Sequence, residues 1–170
     1  LIIGAIFVAD LVRDVRVENE KHTEKLERMN AETCSERMHG ELNNGVFLTT
    51  ALEQFIISEN GNVNYFEKIA ENLMTGSQSE YSGNSFIRCL QLAPGGVVSR
   101  IYPQEHNEAG MIDLINDKDR GFICRYARDN DKLIIQGPYN LAQGGKGIAI
   151  RKPVYLTTGD EAPSAENFWG

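Results

Sequence analysis

The chain is 170 residues long and carries 17 Lys and Arg against 24 Asp and Glu, a net charge of −7. That length suits one domain with a hydrophobic core of its own and room for an appended helix. The acidic balance, with no basic cluster, excludes the electrostatic footprint of a nucleic-acid binder and disfavours attraction to anionic lipid headgroups.

Residues 1–12, LIIGAIFVADLV, are apolar apart from Asp10. The run is shorter than the ~20 residues that cross a bilayer, and no small-residue cleavage site follows it. Two descriptions fit: the outer end of a transmembrane helix in a fragment cut from a longer protein, or the apolar start of a packed helix. From Val12 to about Ser58 there is no proline and much Glu, Lys, Arg, Leu and Met, which predicts a long helix. Leu11, Val15, His22, Leu26, Met29 and Thr33 recur at threes and fours as one weakly apolar stripe. A helix with so narrow a stripe is usually paired, often with its own symmetry mate, so a parallel homodimer through this helix is expected. Gly40, Asn43, Asn44 and Gly45 are places where it can bend or break. Beyond them Val46, Phe47, Leu48, Leu52, Phe55 and Ile56 are densely apolar, as expected where a stalk enters a globular unit.

SENGNV is then a turn, and Asn62 is placed to cap a short helix beginning near Val63, with Phe66, Ile69, Ala70 and Leu73 on one face. FIRCLQLA and VVSRIYP, joined by Pro94, Gly95 and Gly96, predict a hairpin. INDKDRGFICRYARDND predicts a helix capped by Asn116 or Asp117, and KLIIQGPY and GIAIRKPVYL predict two further strands. The order is α+β: a long N-terminal helix followed by a PAS-like antiparallel sheet with flanking helices, with no βαβ alternation.

The glycine-rich stretch GPYNLAQGGKGIAIRKPVYL, residues 137–156, raises the question of a phosphate loop. Lys146 is followed by Gly147 rather than Ser or Thr, so the Walker pattern fails. The dinucleotide pattern needs a helix after the glycines, whereas Ile148, Ala149 and Ile150 favour extended chain. A turn between antiparallel strands is the better description.

Catalytic constellations are thin. His22 and His39 fall on the long helix, and His106 with Glu105 and Glu108 has no second ligand cluster to complete a metal site. GxSxG is absent, and Asp117 with Asp119 suits the charge of a helix N-terminus. Cys34, Cys89 and Cys124 are odd in number and widely spaced, so they are read as buried free thiols. Asp113, among Met111, Ile112, Leu114 and Ile115, stands out. A carboxylate in buried company must find donors or a ligand, unless it points outward or caps a turn.

The stretches FIRCLQLAPGGVVSRIYPQEHNEAGMIDLIND, ARDNDKLIIQGPYNLAQGGKGIAIRKPVYL and the final FWG resemble the CHASE domain. That family is the extracellular sensor of bacterial diguanylate cyclases and histidine kinases and of plant cytokinin receptors. The match covers about residues 46–170, with the order GPY, QGG, G, R.PVY, FWG its most specific part. The resemblance implies a membrane-connected helix (residues 1–58) and a PAS-like membrane-distal unit (59–170), truncated where a membrane-proximal unit would begin. It implies a small-molecule ligand, no cofactor, no metal and no catalysis in the domain itself. It places the family's ligand-binding aspartate on Asp113, its strand residues near Ile135 and Gln136, and a polar residue near Gln143; Tyr139 lies between them as a further lining residue. Gln143-Gly144-Gly145 replaces bulkier residues of the cytokinin receptors, so ligand identity does not carry over. The expected function is therefore an extracytoplasmic sensor, periplasmic or extracellular, anchored by flanking transmembrane helices and serving a cyclase or kinase. The alternatives are a small soluble enzyme using Asp113 as acid or base, and a purely structural dimerisation module.

Overall fold

The structure, a computed structural model, describes residues 2–77, 86–104, 112–140 and 145–170, with side chains in the first helix from Arg13 onward. His106 and its two glutamates, and Gln143, lie outside the described residues.

Helix α1 runs from Ile2 to Ser58 as one element, so the glycines and asparagines near its middle do not break it. The chain forms two compact units, Leu1–Leu42 and Asn43–Gly170. In the first, every residue from Arg13 to Gly40 is exposed, including Val15, Leu26 and Met29 of the apolar stripe, and Cys34 is exposed too, unlike the buried thiol expected there. Arg28 and Glu32, one turn apart, form an ion pair at 3.0 Å. Such a surface pair adds only a few tenths of a kcal/mol, roughly 0.3–0.5. Among the described residues, no helix is long and apolar enough to cross a membrane.

The second unit begins inside α1. Leu48, Leu52 and Ile56, spaced at fours, are buried at 1%, 6% and 2% exposure and form one wall of the core. Phe66 and Ala70 of α2 (Phe66–Gly76), Leu90 and Leu92 at the two ends of β1 (Leu90–Leu92), and Val154 close it. Each fully buried aliphatic or aromatic side chain stabilises the fold by roughly 1.5–3 kcal/mol. Asn62 accepts the backbone N–H of Asn64 at 3.0 Å, so it makes a turn ahead of α2 rather than capping it. The helix starts at Phe66, later than the expected Val63.

The predicted hairpin is present: β1 (Leu90–Leu92) pairs antiparallel with β2 (Arg100–Tyr102), Leu90 opposite Tyr102 and Leu92 opposite Arg100. Pro94, Gly95 and Gly96 form the connecting turn, Gly95 and Gly96 at φ of 64° and 85°, which is backbone that L-residues adopt at a cost. A second hairpin joins β3 (Ile134–Asn140) to β4 (Lys146–Arg151). The architecture is α+β, with two two-stranded antiparallel sheets among the described residues in place of the single sheet expected. β1 and β2 are three residues each, too short to build a wide ladder.

Phe168, Trp169 and Gly170 fold back on the strand-like segment at Val154 and Tyr155. Trp169 N–H donates to the Val154 carbonyl at 2.8 Å, and Val154 N–H to the Gly170 carbonyl at 2.8 Å. The Tyr155 and Phe168 rings meet edge to face with centroids 5.7 Å apart, and the Tyr155 hydroxyl donates to the Arg128 carbonyl of α3 (Gly121–Asn130).

Candidate functional site

Asp113 sits where the segment after β2 returns to the first hairpin. Its backbone is bridged to Val97, with Val98 N–H donating to the Ile112 carbonyl at 2.9 Å and Leu114 N–H to the Gly96 carbonyl at 2.8 Å. Its carboxylate is occupied by its own turn. Oδ1 accepts the backbone N–H groups of Ile115 at 3.1 Å and Asn116 at 3.0 Å, and Oδ2 accepts the Asn116 side-chain amide at 2.7 Å. The Asn116 side chain and then its N–H hold the Asp113 carboxyl below the usual carboxylate range, against a smaller opposing effect of burial. Of the two readings open from sequence, turn capping describes these contacts. A carboxylate has about four lone-pair sites, so one acceptor direction remains once these three donors are counted.

Asp117, four residues on, repeats the device. Its Oδ1 accepts the N–H groups of Asp119 at 2.9 Å and Arg120 at 2.8 Å, which ties the turn that leads into α3. The Arg120 and Asp119 N–H bonds, with weaker attraction from the Arg120 and Arg151 guanidiniums, hold the Asp117 carboxyl low.

On the second hairpin the register decides which residues meet. Ile134 lies opposite Arg151, Ile135 opposite Ile150 and Gln136 opposite Ala149; after a slip, Tyr139 lies opposite Gly147 and Asn140 opposite Lys146. Side chains alternate along a strand. Gln136, Ala149, Gly147 and Arg151 therefore share one face, and the extra residue of the bulge brings Tyr139 onto it. Ile135 is on the other face with Ile148 and Ile150, and is half exposed. That face meets α1, since a Cβ on Gly45 would lie 2.5 Å from Ile150 Cδ1. The structure thus brings together Gln136 and Tyr139 of the five expected site residues, sets Ile135 on the opposite face, and gives Asp113 its partners within its own turn.

Sequence reasoning missed the arginines. Arg151 Nη1 donates to Gln136 Oε1 at 2.9 Å, and its guanidinium carbon lies 5.7 Å from the Tyr139 ring centroid. The Arg120 guanidinium carbon, from the start of α3, lies 5.1 Å from the same centroid. Both distances are within the range of cation–π attraction. The Tyr139 hydroxyl is enclosed and has no hydrogen-bond partner among the described residues. Cys124, buried on α3 near these charges, has its thiol pushed up mainly by burial. A thiol held protonated is a poor nucleophile.

Among the described residues no group of three or more His, Cys, Asp and Glu side chains is placed to hold a metal ion. The face formed by Gln136, Tyr139, Arg151 and Arg120 offers several donors, one amide acceptor already engaged, and an aromatic surface. That set suits binding of a small polar molecule, and it lacks a base positioned against a nucleophile. No protein-family model, no curated protein and no solved structure matches this chain.

Proposed function

We propose that the chain is the extracytoplasmic, PAS-like ligand-sensing part of a membrane-anchored signalling receptor, without catalysis of its own. In this reading α1 pairs with a second copy and carries ligand occupancy towards a cytoplasmic diguanylate cyclase or histidine kinase. The observation that carries it is the polar face of the β3–β4 hairpin, where Gln136 and Tyr139 stand together and an enclosed hydroxyl has no hydrogen-bond partner among the described residues. A buried polar group left unpaired costs about 1–3 kcal/mol, and a bound molecule would supply the missing acceptor. The second support is α1 itself, which contributes Leu48, Leu52 and Ile56 to the core of the sensing unit and is exposed from Arg13 to Gly40. A change at the core end has a direct covalent path to the exposed end.

The test is a thermal-shift screen of the 170-residue chain against small metabolites, including adenine derivatives and amino acids. A ligand that binds only the folded form adds RT ln(1 + [L]/Kd), about 2.7 kcal/mol at a hundredfold excess over Kd. A compound that stabilises the wild type and loses its effect in Gln136→Ala supports the reading. Turnover of that compound by the purified chain would favour the enzyme alternative, and a screen with no stabilising compound counts against sensing.

A further inference from the structure

The geometry points to an oxyanion as the group this face takes: a small molecule bearing a carboxylate or a phosphate, held by the Arg120 and Arg151 guanidiniums with the Tyr139 hydroxyl. This rests on the sensor reading and names the chemical class of its ligand. Both guanidinium carbons lie within 6 Å of one ring centroid. All three side chains are half-buried, so like charges repel there more strongly than they would in bulk water. Asp117 is an acid that feels both arginines, and its Oδ1 is already committed to two backbone N–H groups. Arg120, Arg151 and Asp117 together carry one net positive charge, on a chain whose net charge is −7.

The donors have the right form. A guanidinium presents five N–H groups in a planar fork that matches two oxygens of a carboxylate or phosphate. Gln136 Oε1 takes Nη1 of Arg151 at 2.9 Å and so fixes how that fork is turned. The Tyr139 hydroxyl, enclosed and without a partner among the described residues, is one more donor that an oxygen would satisfy. Gly147, across the ladder from Tyr139, puts no side chain beside the ring. A cationic ligand would add to the charge excess, and a neutral one would leave it standing.

The experiment is thermal unfolding of the full chain in inorganic phosphate and, separately, in short mono- and dicarboxylates, at constant ionic strength with chloride as the reference. The wild type, Arg120→Gln, Arg151→Gln and Tyr139→Phe are compared. Saturable stabilisation in the phosphate arm or the carboxylate arm, with apparent Kd weakened at least about tenfold by Arg120→Gln, supports the assignment and tells the two sources apart. Arg151→Gln also removes the bond to Gln136. Should that variant fail to fold, Arg120→Gln and Tyr139→Phe, which keep the bond, carry the result. Stabilisation that matches chloride, or that survives Arg120→Gln undiminished, overturns the assignment. An uncharged metabolite that stabilises wild type and Arg120→Gln equally overturns the oxyanion and leaves sensing intact, whereas a chain that no compound of either class stabilises overturns both.

Discussion

Gln136 and Tyr139 face the same way although three residues apart on β3, because the strand carries one extra residue between the partners of Ala149 and Gly147. The extra residue falls at Gly137-Pro138. Gly137 has φ of 144°, and a Cβ there would lie 2.8 Å from the Gly147 carbonyl oxygen and 3.1 Å from Ile148 Cα. Both obstacles are backbone, so neither gives way cheaply. Gly137→Ala is expected to lose on the order of 1–3 kcal/mol in urea unfolding. A loss under ~0.5 kcal/mol would show that the bulge does not depend on glycine.

Tyr139→Phe keeps the ring that both guanidiniums approach and removes only the hydroxyl, which has no partner among the described residues. Without ligand, stability is expected to stay level or rise by about 1 kcal/mol, because a group desolvated without a bond is lost. A fall of more than ~1 kcal/mol would mean the hydroxyl is bonded in solution.

The Asp113 carboxyl is held low by its turn, so it contributes stability that is fully present above the ordinary aspartate pKa of about 3.9 and is lost as pH falls through the depressed folded-state value. Asp113→Asn lacks that contribution at neutral pH. Had the carboxylate been buried and unpaired, the same substitution would have been neutral or stabilising. The expected result is a destabilised variant at pH 7 whose deficit against wild type shrinks below pH ~4. A deficit that stays constant with pH, or a stabilised variant, would contradict the turn-capping role.

Leu26 and Met29 on α1 are 48% and 52% exposed, and with Val15 they fall on one seam of a seven-residue repeat. Sedimentation of the wild type at high concentration is expected to show a dimer, and Leu26→Glu with Met29→Glu to leave monomer with the core of the second unit still folded. A wild type that remains monomeric at hundreds of micromolar removes the homodimer from the account.

Local signals were the legible ones. The proline-free run before Ser58 gave α1, Pro94-Gly95-Gly96 the first turn, and the β-branched runs flanking the later glycines gave β3 and β4. Asn62 was misassigned by one structural step, since a side-chain amide makes the same local bond in a turn as at a helix start. The site was less legible for two physical reasons. A strand read at strict alternation sets Tyr139 opposite in sense to Gln136 and in phase with Ile135; only the Gly-Pro pair within β3 hints at the bulge that reverses this. Arg120 and Arg151 come to Tyr139 from different elements, and no spacing within either segment announces that meeting.

Amide chemical-shift mapping of a stabilising ligand on the full chain distinguishes this face from the rest of the second unit. The largest shifts are expected on the Gln136–Asn140 and Gly147–Arg151 strands and on the turn from Asp117 to Gly121, with little change along β1 and β2. Shifts centred on β1 and β2, or spread evenly over the second unit with Gln136, Tyr139 and Arg151 unmoved, would contradict a ligand site on this face of the hairpin.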